Sequence, residues 1–156
     1  MAKVVTNLVE RMERVFASLS RNVWFPVLLA RLAMAAEFVT SGWGKVHDLP
    51  KLAREFESLG IPAPGANAAA TATTELVGGL LLLVGLGTRF AAASLAIVMT
   101  VAILTSRLKE VHTVGDFFYL SEPSYFVIFV WLVFQGGGKA SVDHLIAQKR
   151  AERSAP

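Results

Sequence analysis

The sequence contains no cysteine among its 156 residues. Disulfides, thiolate metal sites, iron–sulfur clusters and dithiol redox exchange within this chain are therefore excluded. Charged residues are also scarce: Asp, Glu, Lys and Arg make up 17% of the chain, against about a quarter in soluble proteins. A Walker loop, a dinucleotide-binding glycine fingerprint and a nucleophile elbow are missing as well. No catalytic residue can be assigned from the sequence.

Hydrophobic residues are abundant instead, at 54% of the chain. A bilayer accepts so much apolar surface, whereas water does not. The formal net charge is +3, but the basic residues lie in short flanks between apolar runs, where membrane proteins place topology signals and headgroup contacts. The sequence therefore predicts the lipid bilayer as the protein's surroundings and no nucleic-acid partner.

Four apolar segments are spaced as membrane-spanning helices, at residues 24–43, 66–86, 90–105 and a shorter one centred on 125–134. A span needs about 20 residues. The fourth segment reaches that length only if residues 116–120 also lie at membrane depth. The pattern predicts an all-α fold, a transmembrane four-helix bundle in which neighbouring helices pack through small residues.

The chain divides into three predicted regions: an amphipathic interfacial helix at 1–22, the four-helix transmembrane domain at 23–145 and a polar cytoplasmic tail at 146–156. With four spans, nine basic residues share the side of both termini: Lys3, Arg11, Arg14, Arg21, Arg89, Lys139, Lys149, Arg150 and Arg153. Five lie on the other side: Lys45, Lys51, Arg54, Arg107 and Lys109. Because basic loops favour the cytoplasm, we expect both termini to be cytoplasmic.

Two opposite charges fall inside predicted spans, Arg31 in the first and Glu75 in the second. An ionised group at the centre of a span costs roughly 2.5–3.5 kcal/mol on insertion scales, so the two groups are predicted to form a buried, hydrogen-bonded pair. Lys45 lies fourteen residues after Arg31, about 40° round the helix, and therefore faces the same side at the outer boundary. The pair is either a structural clamp or a polar site for a ligand headgroup or a proton.

A third intramembrane charge, Glu37, lies about 120° away from Arg31 on the same helix. It therefore needs another partner or a protonated state. His47 and His112 fall on loops of the same predicted side, near several acids, but no two of these residues have a tight ligand spacing on one element. We predict no metal site, and the predicted spans contain no histidine that could be a haem ligand.

Several short motifs occur in an order that resembles the DoxX family. The first is Arg31-Leu32 followed by Ser41-Gly42-x-x-Lys45-x-x-Asp48. The next is Glu75-x-x-Gly78-Gly79-x-Leu81, continuing to Gly85 and Thr88-Arg89-x-Ala91-Ala92. The last landmarks are His112, Gly115-Asp-Phe-Phe118, Glu122 and Gly136-x-Gly138-x-x-Ser141-x-Asp143. The resemblance covers about residues 24–145.

This resemblance implies a multi-pass protein of the bacterial inner (plasma) membrane with four helices. Members are similar to small subunits or neighbours of redox systems; one relative belongs to a thiosulfate:quinone oxidoreductase. Carried over by position, the resemblance points to Arg31, Lys45, Glu75, Arg89, His112, Glu122 and Asp143 as the polar positions of interest. Two departures are Ala35, where a glycine is usual, and Glu37, where an apolar residue is expected.

The first functional hypothesis is a membrane subunit or accessory protein of a quinone-linked oxidoreductase complex. A quinone headgroup would bind near Arg31, Glu75 and Lys45, because quinone reduction needs a proton donor and a cation beside the reacting oxygen in an apolar pocket. No covalently bound cofactor is expected, and a protein partner would supply electrons. The alternatives are a non-catalytic membrane anchor or assembly protein and a small transporter, and the sequence also leaves a homo-oligomer open.

Overall fold

The computed structural model describes residues 7, 10–14, 16–17, 22–106 and 113–154, and the regular secondary structure in these ranges is helical. The helices with defined bounds are α1 (Trp24–His47), α2 (Leu49–Ser58), α3 (Pro64–Val84), α4 (Thr88–Thr105), α5 (Val114–Tyr119), α6 (Ser121–Gln135) and α7 (Val142–Ser154). Ahead of α1, residues 7, 10–14 and 16–17 are helical and exposed. The all-α prediction is confirmed for the described part of the chain.

Within the described ranges, three helices are long and apolar enough to cross a membrane, namely α1, α3 and α4. They coincide with the first three predicted spans. The fourth predicted segment is α6, which has 15 residues and therefore covers about 22 Å. Leu120 is extended, with φ −73° and ψ 142°, and separates α6 from the short α5. Residues 116–120 thus do not extend α6 into one continuous helix.

The helices α1, α3, α4 and α6 form one bundle around an apolar core. α3 lies between α1 and α4, and α4 packs along α6. Phe38 on α1 meets Phe129 on α6 edge to face, with ring centroids 4.9 Å apart, which closes the ring of helices. We call the end of the bundle from which α7 extends the tail end. The opposite end, which carries α2, is the loop end.

Two glycines bring the backbones of α1 and α3 into contact. A Cβ added at Gly42 would collide with the backbone of Leu76, and one added at Gly79 would lie 2.8 Å from the backbone nitrogen of Val39. Close approach through small residues is the usual packing device between membrane helices, because lipid supplies no hydrophobic drive for their association. The two helices that carry Lys45 and Glu75 are therefore held at a fixed separation.

The amphipathic α2 covers the loop end of the bundle. Asp48 begins it by accepting a hydrogen bond from the backbone N–H of Lys51 at 3.3 Å, which satisfies one of the free donors at a helix start. Its apolar side places Leu52 against Ala68 and Ala72 at the start of α3. The surface of α2 that faces away carries charge, so the helix fits a boundary between apolar and aqueous surroundings.

Candidate functional site

The polar cluster nearest the loop end is made of side chains from α1 and α3. Lys45 Nζ lies 2.5 Å and 2.6 Å from the two carboxylate oxygens of Glu75. Ser41, one helical turn before Lys45, donates its hydroxyl to Glu75 Oε2 at 2.9 Å. The Glu75 side chain is 1% exposed, whereas that of Lys45 is 33% exposed. The buried carboxylate is therefore fully partnered, and the ammonium remains reachable from one side.

A cavity of about 890 Å³ opens beside this cluster. Both members of the ion pair line it, together with apolar side chains of α2, α3 and α4 and with Glu55 and Glu122. Ile97 and Val101 also line it, and both are exposed on the outer side of the spanning helix α4. The cavity therefore reaches from the ion pair to the surface that faces lipid. Its size lies within the range of about 300–1,000 Å³ typical of small-molecule sites.

The second polar cluster lies at the tail end and is built largely from backbone. The Arg31 guanidinium donates to the carbonyl of Gly137 at 2.6 Å and to that of Ala140 at 2.7 Å. The residue is 2% exposed, and its Nε has no hydrogen-bond partner among the described residues. These carbonyls follow the end of α6 and cannot bond within it. Arg31 therefore satisfies carbonyls of the loop that joins α6 to α7.

Asp143 completes the tail-end cluster from the start of α7. Its carboxylate accepts the backbone N–H groups of Gly87 at 2.7 Å and Thr88 at 2.9 Å, so it caps the start of α4. Burial by itself raises the pKa of Asp143, but these two N–H groups and the charge of Arg31 outweigh burial and hold the pKa below its usual range. The cluster ties α1, the α3–α4 turn and α7 together.

The predicted pairing of Arg31 with Glu75 is wrong. The prediction placed the two groups at depths that differ by about 6 Å, a distance that an arginine side chain can cross. In the structure, Arg31 lies against Gly85, in the turn that ends α3. Glu75 is ten residues before Gly85, about 15 Å away along the helix. Lys45, which was predicted to share the face of Arg31, is the partner of Glu75 instead.

The remaining predicted positions fall in separate places. Glu122 lines the loop-end cavity, and Asp143 belongs to the tail-end cluster. Arg89 is exposed beside Gly136 at the tail end, and His112 lies outside the described residues. Among those residues, no group of three or more His, Cys, Asp or Glu could hold a metal ion.

Sequence reasoning missed two features of these clusters. Ser41 was read as part of a motif but not as a partner of Glu75, although it lies one helical turn from Lys45 on the same face. The carbonyls of Gly137 and Ala140 carry no side-chain signal. Their nearest hint is the glycine run at 136–138, which predicts a helix end and hence free carbonyls.

Comparisons with known proteins agree with the motifs. Residues 26–107 match the sequence model of the DoxX family. The inner membrane protein YqjF of Escherichia coli strain K12 is 30% identical over 125 residues, which are 79% of this chain and 93% of YqjF. No solved structure matches the chain. With its apolar helices and these two matches, the chain is a membrane protein that belongs to the DoxX family.

Proposed function

We propose that the protein is an accessory subunit of a redox complex in the bacterial inner membrane and that its loop-end cavity binds a quinone headgroup. The observation that carries this proposal is the Lys45–Glu75 ion pair in the wall of a cavity that reaches the lipid-facing surface. Intramembrane ionisable residues are functional candidates by default. The similarity to YqjF supports the assignment to the inner membrane, because the name of that relative describes an inner membrane protein.

The shape of the cavity suits a ligand that arrives from the bilayer. Its outer rim is apolar at Ile97 and Val101, where an isoprenoid tail could remain in contact with lipid. Lys45 and Glu75 form an ion pair in its inner wall, with Ser41 behind them, and the other polar residues of the lining include Glu55 and Glu122. A few placed polar groups in an otherwise apolar pocket fix the orientation of a ligand.

The chemistry of the ion pair suits a quinone carbonyl. An ammonium has three N–H donors, and Lys45 directs two of them at the Glu75 oxygens. The third is free to donate to a ligand oxygen from the exposed side of the side chain. Reduction of a quinone to a quinol adds two electrons and two protons. Because the chain has no cysteine for an iron–sulfur or dithiol centre, we assign the electrons to a redox centre of a partner protein.

The test is binding of a headgroup analogue with a short tail to the purified protein in lipid nanodiscs. We expect Lys45→Met to weaken binding by about tenfold or more, the loss of one charge-assisted hydrogen bond. Lys51→Met is the matched control, since Lys51 is exposed on α2 and does not line the cavity. Equal affinity of wild type and Lys45→Met, or no binding to either, would contradict the proposal.

A second candidate function is a membrane anchor without chemistry, favoured by α7. None of its residues is buried, and its last turns carry exposed basic side chains such as Lys149, Arg150 and Arg153. Such a helix offers a docking surface to a soluble protein. Crosslinking followed by mass spectrometry distinguishes the two functions: a partner that is retained by Glu75→Gln and lost on removal of 146–156 supports the anchor.

We also propose that both termini lie in the cytoplasm, from the distribution of basic residues along the chain. Nine Lys and Arg residues lie on the side of the termini and five on the other, and basic loops stay cytoplasmic. A reporter enzyme that is active only in the periplasm should be inactive when fused after Pro156. Full reporter activity in this fusion would reverse the orientation.

A further inference from the structure

Glu37 is an ionisable residue on the outer surface of a spanning helix. It lies on α1, about 20 Å from Trp24 and about 15 Å from His47, close to the middle of the helix. Its side chain is exposed. Within the described part of the chain it makes no hydrogen bond and no ion pair, in contrast to Arg31 and Glu75, which are both buried and partnered.

A carboxylate in that position is costly unless something covers it. Charged residues in spans almost always face the bundle interior or a partner, because hydrocarbon solvates them poorly. Glu37 faces away from α3 and α6, with which α1 packs. For Glu37 to be ionised, the group that stabilises it must therefore come from outside the four-helix bundle.

The same face of α1 is shaped for the close approach of another helix. Ala33, Ala36, Thr40 and Gly44 are all exposed around Glu37. Gly44 is informative because a Cβ added there would meet nothing within 4 Å. Glycine inside a helix costs stability relative to alanine. Gly42, on the opposite face, is needed as a glycine because a side chain there would collide with the backbone of Leu76. Contacts within the described chain give Gly44 no such reason.

A second copy of the chain does not suit this face. In a parallel copy, the two Glu37 carboxylates would meet at the same depth, and like charges repel. Thr40 could not relieve them, since its hydroxyl already donates to the carbonyl of Ala36 at 2.8 Å and a hydroxyl has one proton to give. The face therefore needs a partner that brings donors of its own.

We infer that this face of α1, centred on Glu37, binds a transmembrane helix of another protein that carries a lysine or arginine at mid-depth. Charge complementarity selects the basic side chain, because an opposite charge within hydrogen-bond reach favours the ionised carboxylate. The small residues on the face allow the two helix axes to approach closely. This inference goes beyond the proposed quinone site and does not depend on it, since Glu37 does not line the cavity.

The test measures association with a synthetic single-span helix in phospholipid vesicles. One peptide carries a central lysine in a leucine–alanine span, and its matched control has leucine at that position. The chain has no cysteine, so Ser154→Cys on the exposed end of α7 gives one site for a fluorescent donor, and the peptide carries the acceptor. We expect the lysine peptide to bind wild type at least about tenfold more tightly than the leucine peptide does.

Two variants decide the outcome. Glu37→Gln should reduce binding of the lysine peptide to the level of the leucine peptide, and Gly44→Leu should weaken binding with the charge intact. As a control, Glu57→Gln on the exposed surface of α2 should leave binding unchanged. Equal binding of the lysine peptide to wild type and Glu37→Gln would overturn the inference. So would energy transfer between labelled copies of the chain that disappears in Glu37→Gln, because it would make the occupant a second copy.

Discussion

The two charged clusters of this bundle each stabilise a buried charged side chain, one through backbone carbonyls and the other through side chains. At the tail end, Arg31 is held by the carbonyls of Gly137 and Ala140. At the loop end, Glu75 is held by the side chains of Lys45 and Ser41. The first cluster borders no part of the loop-end cavity, whereas the second lines it. A charged group that is bound by the backbone is fixed by the fold. A charged group that is bound by side chains can still bind a ligand, because those side chains can move or share their hydrogen bonds.

The comparison separates a structural role from a site for a ligand. Arg31 directs its N–H groups at two loop carbonyls, which lose these donors when the side chain is removed. A lysine that is one-third exposed can share its third N–H with an incoming oxygen. Of Arg31 and Glu75, which the sequence predicted to pair, only Glu75 therefore belongs to the candidate site.

The largest expected effect is at Arg31. Arg31→Met should lower the free energy of unfolding by about 2–6 kcal/mol, since two carbonyls are left unsatisfied at about 1–3 kcal/mol each. Two carbonyls lose their donor and Asp143 loses a nearby cation. Reversible unfolding in mixed micelles measures the loss. A decrease below about 1 kcal/mol would mean that the tail-end cluster does not hold the fold.

A smaller loss of stability is expected at the loop end. Lys45→Met leaves the Glu75 carboxylate with Ser41, but water can enter the cavity, so we expect a loss of about 1–3 kcal/mol. The double variant Lys45→Met/Glu75→Gln should recover much of that loss, since it removes both charges together. No second substitution can rescue Arg31→Met in this way, because its partners are backbone carbonyls. If the double variant is as unstable as Lys45→Met alone, the proposed difference between the loop-end and tail-end clusters is wrong.

The smallest expected effect is the pH dependence at Asp143. Its pKa in the folded protein lies below the ordinary value of 3.8, so the carboxylate stabilises the fold at neutral pH. That contribution is complete above the ordinary value and is lost as the pH falls through the folded pKa. Asp143→Asn should therefore be less stable than wild type at pH 7, and the difference should shrink near pH 3. A difference that is independent of pH would remove Asp143 from the tail-end cluster.

Much of the architecture could be predicted from the sequence because hydropathy encodes it. The bounds of α1, α3 and α4 differ from the predicted spans by a few residues, and the turn at Gly85 follows from its glycines, with φ 71° at the first. The charged positions were found for the same reason, since a charge is conspicuous in an apolar run. Lys45 was also placed on the correct face of its helix by the 100° rotation per residue.

The partners of those charges could not be predicted, because they depend on the relative height of the helices. Hydropathy gives the length of each span but not where one span ends against its neighbour. Arg31 lies against Gly85, at the end of α3. An offset of two turns moves a partner by about 11 Å. The backbone carbonyls after α6 add a second difficulty, since every residue has one and none is distinguished in the sequence.

The backbone contacts at Gly42 and Gly79 have a mechanical consequence for the cavity. They join α1 and α3 at Leu76, next to Glu75, and at Gly79, one turn further toward Gly85, so we expect the wall that carries the ion pair to be rigid. The opposite wall, formed by α2, α4 and the start of α6, is attached through ordinary side-chain packing. We therefore expect a ligand to enter by displacing that opposite wall, while the distance from Lys45 to Glu75 stays constant.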